Sequence, residues 1–200
     1  MGRKAKPIVT RYRARAQLAH ELRLLLLRCD GTYEQLAKRT PGISRVTLQR
    51  AASGTCLPKE KTVVAFVHAC GFGRQEVAKL TALRISARIE ERGVLHELKA
   101  LHPRLISDRR DLSRALEYVY EAAGAPTLRE LRDRSGEPLL LPISTLSRIV
   151  SRRTTPVDER QLLAFIHGCG ITHQDSLWST AWKKVAMEVP DPGLQSMWTV

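Results

Sequence analysis

The sequence predicts an all-α protein made of two tandem five-helix domains, and three observations carry that prediction. An internal repeat runs through both halves of the chain. Helix caps and stops punctuate each half in the same order. The composition suits helices: of 200 residues 43% are hydrophobic and only 5% aromatic, with Leu and Ala plentiful, which favours helix packing over a β-rich core.

The repeat is the firmest of the three. Ala65-Phe66-Val67-His68-Ala69-Cys70-Gly71 recurs as Ala164-Phe165-Ile166-His167-Gly168-Cys169-Gly170, an offset of 99. Thr47-Leu48-Gln49-Arg50-Ala51-Ala52-Ser53 matches Thr145-Leu146-Ser147-Arg148-Ile149-Val150-Ser151 at an offset of 98, with Pro58 matching Pro156. Thr32 and Leu36 match Thr127 and Leu131 at an offset of 95. The offset shifts only in expected turns, as insertions between fixed helices require.

In the first half, Leu18, Leu22, Leu25 and Leu26 space a helix over Ala14 to Cys29 that ends before Asp30-Gly31. Thr32-Tyr33-Glu34-Gln35 has the form of a capping box opening a second helix to about Arg39, broken by Thr40-Pro41-Gly42. Ser44 caps a third helix carrying Val46, Leu48, Ala51 and Ala52, which Gly54 stops. A fourth runs from about Glu60 to Cys70, and a long fifth follows from about Gly73. The second half repeats the order: a capping box at Thr127-Leu128-Arg129-Glu130, a helix over Leu146 to Val150, another over Asp158 to Cys169, and a last one anchored by Trp178 and Trp182. The expected organisation is a basic arm at 1–14, a first domain at 15–92, a helical connector at 93–111, a second domain at 112–187 and a tail at 188–200.

Charge separates the halves. The net +13 sits almost wholly in residues 1–92, with 19 Lys/Arg against 7 Asp/Glu, whereas residues 112–200 hold ten of each. A basic domain of that size is what a phosphate backbone attracts through counterion release. A membrane surface would call for one amphipathic helix with bulky aromatics, and residues 3–15 carry few large apolar groups. The longest aliphatic run, Leu24 to Leu27, cannot span a bilayer. The basic N-terminus leads into no apolar segment, so Cys29, Cys56, Cys70 and Cys169 read as reduced thiols of a cytoplasmic, nucleoid-associated protein.

Thr32-x-x-x-Leu36-Ala37, a Gly-containing turn, then Ser44-Arg45-x-Thr47-Leu48-x-Arg50 resembles the phage-repressor (Cro-like, xenobiotic-response-element) helix-turn-helix family. The resemblance covers roughly 15–92 and, more weakly, 112–187. It implies a third helix laid in the DNA major groove and a second crossing the backbone. By position, Arg45, Val46, Thr47, Gln49 and Arg50 would face base edges, where Arg pairs with guanine and Gln with adenine. Thr32, Gln35, Lys38 and Arg39 would approach phosphates. Basic residues of the arm, Arg11 and Arg13 among them, would enter the minor groove from an unpacked segment at 2–13. In the second copy Ser144, Thr145, Ser147, Arg148, Arg152 and Arg153 would take these roles. That copy departs from the pattern. Ile143 stands where Arg45 does, Pro142 where Ser44 does and Arg152 where Gly54 does, and its longer turn carries Leu139-Leu140-Leu141, which if exposed marks a protein interface.

His68-x-Cys70 and His167-x-Cys169 repeat, but i,i+2 spacing puts His and Cys on different helix faces, which disfavours a zinc site. No phosphate-cradling Gly loop, HExxH or GxSxG is present. The expectation is a non-enzymatic, cofactor-free transcriptional regulator of repressor type whose partner is double-stranded DNA. The alternatives are a plasmid, phage or chromosome-maintenance factor, and an adaptor or antitoxin. A homodimer or a protein partner would in either case be held through the second domain.

Overall fold

Start and stop signals along the chain mark helix ends, and the computed structural model, which describes residues 7, 8 and 10–187, folds them into ten α-helices with no strand among the described residues. The chain divides into two compact units after Gly93. The first holds α1 (Arg13–Arg28), α2 (Tyr33–Arg39), α3 (Arg45–Ala51), α4 (Glu60–Ala69) and α5 (Arg74–Arg92). The second holds α6 (Arg109–Ala122), α7 (Leu128–Arg134), α8 (Ile143–Val150), α9 (Glu159–Gly168) and α10 (Asp175–Met187). The order and lengths run parallel in the two.

In the first unit, Leu18, Leu22 and Leu25 of α1 pack with Leu36, Leu48, Phe66 and Leu80, each at most 1% exposed. Burying each such side chain contributes about 1.5–3 kcal/mol. The Tyr33 ring meets Phe66 edge-on at 6.4 Å, joining α2 to α4. In the second unit Leu116, Leu131, Leu146, Leu162, Phe165 and Trp178 form the corresponding core.

Both capping boxes form. Thr32 Oγ1 accepts from Gln35 N at 3.2 Å while Gln35 Oε1 accepts from Thr32 N at 2.8 Å. Thr127 and Glu130 repeat this at 3.2 and 2.9 Å. Ser44 caps α3 through Thr47 N at 3.2 Å, and Pro142 leaves α8 without a side-chain cap.

Three expectations are corrected. The arm expected to lie unpacked over 2–13 is packed where it is described. Ile8 lies against Gly54, and Thr10 Oγ1 accepts from Tyr12 N and Arg15 Nε at 3.2 and 3.0 Å. Arg13 already belongs to α1, whose first amides at Arg13 and Ala14 donate to the Glu90 carboxylate at 2.8 Å each. Arg3, Lys4 and Lys6 lie outside the described residues. The helical connector over 93–111 is likewise replaced. Gly93 takes a left-handed φ of 71° and stops α5, and two 3-10 turns, Val94–His96 and Pro103–Leu105, lead to α6, which Asp108 caps. Ile106 is 1% exposed in the second core, so residues placed in the connector belong to that unit. Finally, the Leu139-Leu140-Leu141 tip is no apolar patch. Leu139 alone is exposed, at 92%, while Leu141 is fully buried and Leu140 is half-buried, its carbonyl accepting from Gln161 Nε2 at 2.8 Å.

Candidate nucleic-acid interface

Seven residues make α3, and only Leu48 and Ala51 of them are buried, so the helix rests on the core by one edge. Its other face is solvent-exposed: Arg45, Val46, Thr47, Gln49 and Arg50 all lie on it, Val46 at 46% exposure. Arg23 of α1 donates from Nε to the Ala52 carbonyl at 2.7 Å, satisfying the C-terminal end of α3 and fixing its height above the core. Ser53 Oγ closes on the Arg50 carbonyl at 2.8 Å, and Gly54, at φ 76°, turns the chain away.

Which cations of the first unit are already engaged is decided by where its acids lie. Arg15 pairs with Glu91 at 3.4 Å, Arg28 with Glu76 at 3.1 Å, Lys79 with Glu21 at 2.8 Å and Arg84 with Glu60 at 3.7 Å. These pairs join α1 and α4 to α5. Among the described residues Lys38, Arg45, Gln49 and Arg50 have no ion pair or side-chain hydrogen bond. Lys38 shares α2 with Glu34, whereas α3 carries Arg45 and Arg50 and no acidic residue. Arg45, Gln49 and Arg50 keep every side-chain donor available, as pairing with base edges requires.

Other expected residues are partly occupied. Thr47 Oγ1 lies 3.0 Å from Ser44 Oγ. Thr32 and the Gln35 carbonyl oxygen face each other inside the capping box. Arg39 donates from Nη1 to the Ala69 carbonyl at 3.0 Å, closing the end of α4. Arg11 donates to the Tyr12 hydroxyl at 2.6 Å, and Arg11 and Arg15 each hold a guanidinium 4.8 Å from the centre of the Tyr12 ring. Arg13 is exposed.

In the second unit Ser144, Ser147 and Arg148 are exposed on α8, and Thr145 is half-buried. Arg152 occupies the left-handed turn after α8 at φ 60°, with Nη1 3.3 Å from Glu117. Arg153 beside it is exposed. Arg109 and Arg110, which open α6, line one cleft with these two arginines. Sequence reasoning missed them; the doublet directly after the Asp108 cap was the available signal.

Of the four thiols only Cys56 is exposed. Burial, with Cys29 beside it, pushes the Cys70 thiol up to about 12, and burial also raises Cys169. Burial raises Tyr33, against the lowering influence of Arg23. His68 is exposed where Cys70 is buried, and His167 Nε2 lies 2.9 Å from Asp175. Among the described residues no three His, Cys, Asp or Glu side chains converge on a metal position, and no helix is long and apolar enough to cross a membrane.

Residues 17–80, from the first turns of α1 into α5, match a family described as a helix-turn-helix domain. No curated protein and no solved structure matches the chain.

Proposed function

We propose that this chain binds duplex DNA sequence-specifically through the helix-turn-helix at residues 17–80 and regulates transcription by occluding promoters. The observation that carries the reading is the exposed face of α3, a helix without an acidic residue. Glu21, Glu60, Glu76 and Glu91 pair with cations of α1 and α5, and Arg45, Gln49 and Arg50 on α3, like Lys38 on α2, are left without partners. In this reading α3 enters the major groove. Arg45, Gln49 and Arg50 address base edges, Val46 and the Thr47 methyl meet thymine methyls, and Lys38 addresses phosphate. Thr32 places the N-terminus of α2 toward the backbone.

The second unit offers a similar, less charged helix in α8, with Ser144, Ser147 and Arg148 exposed. One chain would then carry two DNA-reading helices, and binding by the first unit raises the effective concentration of the second at an adjacent half-site. Selection from a random duplex library by the full chain, paired with genomic mapping in the native host, tests the proposal. An enriched motif found under promoter peaks supports it. Equal retention of every sequence, or peaks confined to one replicon locus, would reject promoter regulation.

A further inference from the structure

We propose that the second unit binds a phosphorylated small molecule of the nucleotide class, in a cleft between the start of α6 and the segment after α8. The cleft encloses about 500 Å³, within the range of small-molecule sites. Arg109 and Arg110 line it from the first turn of α6, and Arg152 and Arg153 from the turn after α8. This gathering occurs in a unit, residues 94–200, whose 14 basic and 13 acidic groups nearly cancel. Among the described residues Arg109, Arg110 and Arg153 form no ion pair, and only Arg152 has one, to Glu117 at 3.3 Å.

The neighbouring acids are otherwise occupied. Asp108 accepts from Asp111 N at 2.7 Å. Asp111 accepts from Ser107 Oγ at 2.8 Å and lies 3.9 Å from Arg114. The positive end of the α6 dipole adds to the field, so four like charges stand together with only Glu117, on Arg152, to offset them.

A second, independent observation points to a ligand. Ser113 lines the same cleft and is 8% exposed, yet its hydroxyl is buried without a hydrogen-bond partner. A helical serine in that position normally bonds the carbonyl one turn back, and a buried hydroxyl left unpaired is destabilising. A phosphate oxygen is the acceptor it lacks, and bidentate Arg–phosphate pairs are the strong form of charge-assisted hydrogen bond.

The shape narrows the ligand further. An adjoining cleft of about 390 Å³ shares Arg109, Thr155 and Val157 with the first and continues onto Leu112 and Trp182. One end thus suits phosphates and the other a flat or apolar group. A duplex backbone carries phosphates on a convex rod and would leave the Trp182 end empty. The inference stands apart from the DNA-binding proposal and reassigns Arg152 and Arg153 from DNA to this ligand.

The test uses the full chain without DNA, titrated with ATP and with inorganic pyrophosphate by calorimetry and tryptophan fluorescence. ATP is expected to bind more tightly than pyrophosphate, because only ATP fills the Trp182 end. Arg110→Ala and Arg153→Ala should each weaken ATP at least tenfold and Ser113→Ala about threefold, with the circular dichroism of the folded chain unchanged. Lys59→Ala, which removes an exposed charge in the first unit, should leave ATP binding unaltered. Absence of ATP binding, or binding equally weakened by Lys59→Ala, overturns the proposal. It is also overturned if the arginine variants change only the salt dependence of duplex binding, which would assign the cleft to the DNA backbone.

Discussion

Replacing Gly54 with alanine tests whether the first residues of the chain dock beside the end of α3. Gly54 has φ 76°, and a β-carbon there would stand 2.7 Å from Ile8 Cγ2 and 3.5 Å from Ala19 Cβ. The left-handed backbone alone costs an alanine about 1–2 kcal/mol. The 2.7 Å approach to Ile8 is closer than carbon atoms tolerate, so Ile8 must leave its half-buried seat. Losing that packing adds about 1–2 kcal/mol, since full burial of such a side chain contributes about 1.5–3 kcal/mol. Gly54→Ala should therefore destabilise the first unit by about 2–4 kcal/mol. In an Ile8→Ala background only the backbone cost remains, so the cycle should show a coupling of at least about 1 kcal/mol. Urea unfolding followed by far-UV circular dichroism reads both units. Residues 1–93 contain no tryptophan, and Trp178 is buried in the second core, so tryptophan fluorescence follows the second unit as an internal comparison. An equal cost of Gly54→Ala in both backgrounds would refute the docking of Ile8.

Arg39→Ala should lower the stability of the first unit by about 1 kcal/mol, because it removes the bond to the Ala69 carbonyl; a denaturation midpoint equal to the parent's would contradict this. Lys38→Ala should leave stability unchanged and weaken all duplexes alike, reducing the slope of log K against log salt by about 0.9. Native thiol labelling should modify exposed Cys56 first and spare buried Cys70 until unfolding. With the Cys70 thiol held up near 12, only a small fraction is thiolate even at pH 9, so its labelling should stay far slower than that of exposed Cys56 and should climb over pH 7 to 9 without levelling off. Rapid modification of Cys70 at pH 8 would contradict its burial.

What was legible in the sequence was local. The Thr32–Gln35 and Thr127–Glu130 boxes, the Ser44 cap and the repeated helix order all rest on contacts three or four residues apart, which spacing alone reveals. The features it hid are tertiary. The amides that open α1 are satisfied by Glu90, 76 or 77 residues away, and the end of α3 by Arg23, 29 residues away. A charge count locates an excess in residues 1–92 but cannot distinguish Arg84, which binds the Pro58 carbonyl at 3.0 Å, from Arg50, which binds nothing described. The arm misled for the same reason: Pro7-Ile8-Val9 belongs to no helical apolar rhythm, and Ile8 meets its packing surface only at the distant Gly54. At the connector, Val94 to Leu101 keeps a helical apolar rhythm, but the left-handed Gly93 ends α5 before it begins.

The most direct test of α3 as the reading element is selection on random duplexes by the full chain and by Arg50→Ala and Gln49→Ala. Each substitution should erase preference at one or two base positions, at about 1–3 kcal/mol, while the rest of the motif persists. An unchanged motif, with only a uniform loss of affinity across all sequences, would contradict the placement of α3 in the major groove.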